Sequence, residues 1–197
     1  MNLNELRERV REDLMDTDPA QQLWSDNDIE NMLLRVVDEY SLRAPIEQQD
    51  DVATTASSRE IDISSLTALI KVLSVEYPVD QSPPYYQRFN YWAGHLTMTS
   101  EGDGVSDARV RWTKRHEVTT TSTTIPEEHA EIIILGTTGY LAMSISAYTV
   151  DRATMSGDRA TINYRDWGKE RLQQYKAELK RIAWSSRVRT RDLYVEE

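Results

Sequence analysis

The spacing of the hydrophobic residues changes twice along the chain, and this change constrains the fold more than any other feature. Apolar residues recur every three or four positions near both ends, but at every second position in much of the region between residues 59 and 118. The first spacing is typical of a helix with one buried face, and the second of a strand. The sequence therefore predicts an α+β chain in which a β-sheet is inserted between helical parts.

The first helical part predicts a tight corner between two helices. A helix over residues 3–15 would place Leu3, Leu6, Val10 and Leu14 on one face. Pro19 ends it, because proline lacks an N–H and disfavours helical geometry at the preceding residue. Trp24 precedes the second helix, which Ser25 or Asp26 caps. We expect Pro19 and Trp24 to be structural residues of this corner.

The middle of the chain predicts one small sheet. The second helix carries a buried stripe and ends before Pro45, and residues 46–58 are polar, which predicts a loop. Alternating segments then fill residues 59–118 and predict an antiparallel sheet.

The last part of the chain returns to the helical period. Helices are predicted over residues 126–150 and 162–184, and Gly136 and Gly139 would let another helix approach closely. The predicted fold is a four-helix-bundle-like core with an inserted antiparallel β-sheet and an extended C-terminal tail. We expect a single domain over 1–197, which consists of a helical part (1–45 and 126–184), a β insertion (59–118) and a C-terminal arm (185–197).

Residues 132–150 carry no charge but do not predict a membrane span. The run contains seven Ser, Thr or Tyr residues and two glycines, whereas a spanning helix needs roughly 20 predominantly apolar residues. We expect a buried central helix and no membrane partner.

No arrangement of residues in the sequence indicates catalysis. The chain has no cysteine and three histidines, His95, His116 and His129. The zinc pattern H-E-x-x-H, the nucleophile motif G-x-S-x-G and a phosphate-binding glycine loop are all missing. We therefore predict no enzyme activity, no cofactor and no bound metal.

Nucleic-acid binding is an alternative function. Aromatic residues cluster between Tyr85 and Trp92 and could stack on bases, and the chain ends in an arginine-rich segment. Residues 1–51, however, hold 14 acidic and 5 basic residues, and gripping DNA requires clustered Lys and Arg. The aromatic cluster is more typical of a sheet core or a protein interface.

The C-terminal arm predicts a contact with a partner protein. Its arginines alternate, so an extended strand would present them on one face, and apolar residues lie between and after them. The partner-interface candidates are Arg187, Val188, Arg189, Arg191, Leu193 and Tyr194.

Several segments together resemble the head–tail connector, or adaptor, proteins of long-tailed bacteriophages. They are "LRERVREDLMDTDPAQQLWSDNDIENMLLRVVDEYS", "LIKVLSVEYPVDQSPPYYQRFNYW", "TIPEEHAEIIILGTTGYLAMSISAYT" and "INYRDWGKERLQQYKAEL". Each is a weak motif, but their order and spacing span nearly the whole chain. The sheet-rich middle departs from the simpler family members, which are mostly helical.

The resemblance implies a structural protein of the virion neck, made in the host cytoplasm. Such proteins form a twelve-fold ring beneath the portal, contact neighbouring copies, and carry a stopper or tail-completion protein. The ring extends the channel for double-stranded DNA without binding it specifically, which suits an acidic chain. Two alternatives remain, namely a nucleic-acid-binding accessory factor and an interaction module that stays monomeric.

Overall fold

The computed structural model describes residues 1–156 and 160–185, and side chains are described for 1–145 and 164–184. The chain divides into two compact units. The helical unit comprises Met1–Ala44 and the described residues from His116 onwards, and the sheet unit comprises Pro45–Arg115.

The helical unit contains four α-helices and one short 3₁₀ helix. These are α1 (Leu3–Asp13), α2 (Asp26–Arg43), the 3₁₀ helix Glu127–His129, α3 (Ala130–Ser156) and α4 (Ala160–Ser185). α1 and α2 each begin with a capping box, formed by Asn2 with Glu5 and by Ser25 with Asp28. In each box two backbone N–H groups that lack a partner inside the helix are satisfied by side chains.

One hydrophobic core holds the helical unit together. It includes Leu6 and Val10 from α1, Ile29 and Val36 from α2, Ile133 and Leu141 from α3, and Tyr175 and Ile182 from α4. α3 contacts each of the other three α-helices and forms a long hairpin with α4. α3 is therefore the central helix of this unit.

The predicted four-helix-bundle-like core is wrong, although the α+β class is consistent with the structure. A bundle needs four helices of similar length around a common axis. Here α1 has 11 residues and α3 has 27, which correspond to about 16 and 40 Å. Helical periodicity indicated the buried faces but not this difference in length.

The sheet unit consists of two antiparallel sheets rather than the single small sheet that was predicted. The strands are β1 (Ile46–Ala53), β2 (Glu60–Asp62), β3 (Leu69–Glu76), β4 (Tyr86–Gln87), β5 (Phe89–Trp92), β6 (His95–Met98) and β7 (Asp107–Lys114). One sheet has the order β1-β7-β3-β4 and the other has the order β2-β6-β5. Both sheets contribute to one core, in which Ile61, Val75, Leu96 and Val110 are fully buried.

The predicted loop over residues 46–58 is also wrong, because its first eight residues form β1. β1 pairs with β7 at every position from Ile46 to Ala53. Its side chains are mostly polar because β1 is an edge strand, and the Trp112 indole donates to Asp50 Oδ2 at 2.6 Å. Backbone pairing defines this strand, and the composition of its side chains does not reveal it.

The helix boundaries shift modestly from the predicted ones. α3 begins after the 3₁₀ turn and extends to Ser156, and α4 spans Ala160–Ser185. None of the described helices is both long and apolar enough to cross a membrane. The predicted arm beyond Ser185 lies outside the described residues.

Candidate interaction surfaces

A buried arginine holds the corner between α1 and α2. Arg11 is 9% exposed at its side chain, and it donates to Asp16 Oδ2 at 2.7 Å and to Asp26 Oδ1 at 2.5 Å. It also donates to the Trp24 carbonyl at 3.1 Å, while Asp16 Oδ1 accepts the Leu23 N–H at 2.7 Å. One cation thus fixes both ends of the corner loop to α1.

Charged contacts extend this arrangement along α2. The Arg11 hydrogen bond is the main reason why the pKa of Asp26 lies below its ordinary value. Arg7 pairs with Asp26 at 3.2 Å and with Glu30 at 2.8 Å. The first turn of α2 is therefore held against α1 by two arginines.

The two corner residues selected from the sequence lie in different environments. Trp24 is 4% exposed and belongs to the helical core, where it meets the Tyr164 ring edge-on at a centroid distance of 6.2 Å. Pro19 is exposed in the turn of the loop. Trp24 can stabilise the corner by packing, whereas Pro19 can act only through its backbone.

An open groove of about 700 Å³ lies between this corner and α4. Met15 and Leu23 line it and are 93% and 57% exposed. Trp167 lines the opposite wall, and Arg171 lies over its ring at 4.7 Å while it pairs with Asp13. Because exposed apolar side chains lie in a concave surface next to acidic ones, this groove is a candidate contact for a protein partner.

The two glycines selected from the sequence lie where α3 meets α4. A Cβ atom at Gly136 would lie 2.9 Å from the Tyr175 ring, and one at Gly139 would lie 2.9 Å from Leu172 Cγ. Side chains of α4 therefore fill the space above both glycines, and any larger residue would push α3 and α4 apart.

Two of the three histidines flank Tyr40, a proximity that the sequence gave no reason to expect. The Tyr40 hydroxyl lies 2.5 Å from His129 Nδ1, and the Tyr40 and His116 rings are 5.0 Å apart. His116 Nε2 bonds the Ala44 carbonyl at 2.9 Å, and its backbone N–H donates to the Ser41 hydroxyl. This cluster joins α2 to the chain that follows His116.

Burial controls the protonation of this cluster. It raises the pKa of Tyr40 to about 12, with a smaller contribution from Glu128. Burial also lowers the pKa of His116, although its bonds to the Ala44 and Thr124 carbonyls oppose this shift. Burial therefore favours the neutral form of both side chains, which join the two segments. His95 lies apart from them on β6.

The arginines of the large sheet are paired with carboxylates. Arg109 bonds Asp51 at 2.9 Å and Asp80 at 2.8 Å. Arg111 bonds Glu76 at 3.3 Å and donates to the Tyr86 hydroxyl at 2.7 Å. These pairs reduce the positive charge that β7 can offer to a phosphate backbone.

The sheet unit also exposes aromatic side chains. Trp92 is 82% exposed, and Tyr85 and Tyr91 are each more than half exposed. Trp92 precedes a two-residue turn in which Ala93 and Gly94 have positive φ angles, as expected for a tight hairpin. Trp92, at the hairpin turn, is therefore a second candidate contact, within the aromatic cluster that the sequence had indicated.

Among the described residues, no group of three or more His, Asp or Glu side chains is placed to hold a metal ion. Six residues predicted to contact a partner lie outside the described residues: Arg187, Val188, Arg189, Arg191, Leu193 and Tyr194.

Comparison with known proteins finds no family model that matches the chain and no matching curated protein.

Proposed function

We propose that this chain is a structural head–tail connector of a long-tailed bacteriophage. It forms a twelve-fold ring beneath the portal, extends the DNA channel and carries a stopper or tail-completion protein. The proposal rests on the order and spacing of the segments that resemble this family.

The way in which the resembling segments fold supports the proposal. The segment that ends at Ser41 and the segments that begin at Thr124 and Ile162 are far apart in sequence, and all contribute to the core of the helical unit. The helical corner inside the first segment is held by Arg11 and borders the open groove.

The surface chemistry suits a protein that lines or supports a DNA channel. The acidic first quarter of the chain repels phosphate, and the sheet arginines Arg109 and Arg111 are paired with carboxylates.

The exposed aromatics Tyr91 and Trp92 favour the second candidate function, a nucleic-acid-binding accessory factor. Salt-sensitive DNA binding by the purified protein would support that candidate instead.

The test is binding of the full-length protein to purified portal oligomers, measured by native mass spectrometry. We expect a monomer or weak oligomer in isolation and twelve added copies on each portal, since a ring of head-to-tail contacts needs correct closure. A different copy number, or no binding, would contradict the proposal.

The corner groove provides a more specific variant for the same assay. The double substitution Met15→Ser and Leu23→Ser removes its two most exposed apolar side chains, and we expect weaker portal or ring contacts. Val105→Ser is the control, because Val105 is 90% exposed and belongs to the sheet unit. Equal binding by the two variants would show that the groove is not the contact.

A further inference from the structure

β1 forms a long and regular edge of the four-stranded sheet. It pairs with β7 in unbroken register over eight residues. Among the strands that the structure describes, none pairs with its other side. An edge strand presents N–H and C=O groups that can bond a further strand.

Several common protections of a sheet edge are missing from β1. Natural edges are often very short, bulged, or interrupted by Pro or Lys, but the sequence of β1 is IEQQDDVA. Its protection is negative charge, from Glu47, Asp50 and Asp51. Two β1 strands from different copies would repel each other, whereas a basic strand would be attracted.

The two faces of β1 differ in polarity. Glu47, Gln49 and Asp51 alternate on one face and are exposed, and Gln49 and Asp51 already bond Arg111 and Arg109 of β7. The other face carries Ile46, Gln48, Asp50 and Val52. Ile46 and Val52 are only partly buried, and Val52 packs against the core of the sheet unit. The core face is therefore incompletely covered at this edge, and a further strand with apolar residues at alternate positions would cover it.

The end of the chain has the matching pattern. Residues 187–195 read RVRTRDLYV, which contains β-branched and aromatic residues and no Gly or Pro. As a strand it would present Arg187, Arg189 and Arg191 on one face. Val188 and Tyr194 would lie on the other face with Thr190 and Asp192, and Leu193 and Val195 would continue the arginine face.

We propose that residues 187–195 of a neighbouring copy add to β1 as a fifth strand of its sheet. The arginine row faces the row of Glu47, Gln49 and Asp51, and Val188 and Tyr194 lie on the same side of the sheet as Ile46 and Val52. Backbone hydrogen bonds supply affinity and the alternate side chains supply specificity, as in other cases of strand addition.

A neighbouring copy is the expected donor because the first and last parts of the chain carry opposite net charges. Residues 1–51 carry a net charge of −9 and residues 161–197 carry a net charge of +3. If every copy donates one arm and accepts another, the contacts run head to tail and can close into a ring. Twelve residues beyond α4 span at most roughly 40 Å when extended, enough to reach an adjacent subunit. The inference thus rests on the proposed ring.

Disulfide trapping tests the inference directly, because the chain has no cysteine of its own. Gln49→Cys is combined, one at a time, with cysteine at 187, 188, 189, 190 and 191. The full-length variants are oxidised over a range of protein concentrations and separated without reductant. Cross-strand neighbours have Cβ atoms close enough for a disulfide.

We expect cross-linked dimers and ladders with the odd positions 187, 189 and 191, and several-fold less with 188 and 190. Replacing Gln49→Cys by Gln48→Cys, on the opposite face, should reverse this alternation. Mixing a chain that carries only Gln49→Cys with a tagged chain that carries only Arg189→Cys should give a heterodimer.

Three results would overturn the inference. They are equal cross-linking at odd and even positions, cross-linking only within single chains, and no cross-linking above that of the single-cysteine proteins. Native mass spectrometry also measures how many copies of each reduced variant bind to one portal oligomer. Twelve copies without the alternating cross-links would refute strand addition and leave the connector proposal intact. Alternating cross-links without portal binding would refute the connector proposal.

Discussion

Removing Asp16 should destabilise the helical unit more than removing any exposed acid nearby. The Asp16 side chain is 2% exposed, pairs with Arg11 at 2.7 Å and accepts the Leu23 N–H at 2.7 Å. In Asp16→Ala, Arg11 stays buried with one carboxylate fewer, and the Leu23 N–H loses its acceptor.

The expected loss is about 3 kcal/mol. Breaking a buried ion pair by removing one partner costs about 3–5 kcal/mol. The lower end applies because Asp26 still bonds Arg11 at 2.5 Å. For a chain of 197 residues, about 3 kcal/mol corresponds to a decrease in melting temperature of roughly 6–12 °C.

Thermal and urea unfolding, followed by far-ultraviolet circular dichroism, measures this loss. Glu12→Ala is the matched control, since it also removes one carboxylate but from an exposed position of α1. It should change stability by no more than about 0.5 kcal/mol.

A double-mutant cycle with Arg11→Met tests the cause. If the unpaired cation is responsible, Asp16→Ala should cost less in the Arg11→Met background than in the native protein. Equal costs in both backgrounds, or an Asp16→Ala midpoint equal to that of Glu12→Ala, would refute the reasoning.

Trp24→Ala should cost about 3 kcal/mol or more, because it leaves a cavity in the helical core; an unchanged melting temperature would contradict this. The pKa of His116 is lowered in the folded protein, so stability should be full above about pH 6.5 and should fall as the pH decreases below that value. His116→Gln should flatten this dependence, whereas His95→Gln should preserve it. Deleting residues 185–197 should leave the melting temperature of the free protein nearly unchanged and abolish attachment to portal-bearing heads; unfolding, or normal attachment, would show that the arm is not a docking segment.

Much of the helical unit could be predicted from local sequence. The spacing of Leu6 and Val10 identified the buried face of α1, and the Ser25 cap identified the start of α2. These features depend on residues within one or two turns of each other. The four-helix-bundle-like arrangement was wrong because helix packing depends on relative lengths and contacts that periodicity does not report.

The parts that sequence reasoning missed depend on contacts between distant segments. β1 has the composition of a loop, and only its pairing with β7 makes it a strand. Arg11 resembles any surface arginine until Asp16 and Asp26 are brought beside it. Tyr40 and His129 are 89 positions apart in the sequence, and no local pattern links them.

Electron cryomicroscopy of the virion neck to which the proposal assigns this chain is the decisive experiment. We expect a twelve-fold ring beneath the portal, into which the helical unit, with its Arg11 corner, fits as the repeating subunit. A neck without this chain, or a ring with another copy number, would contradict the account.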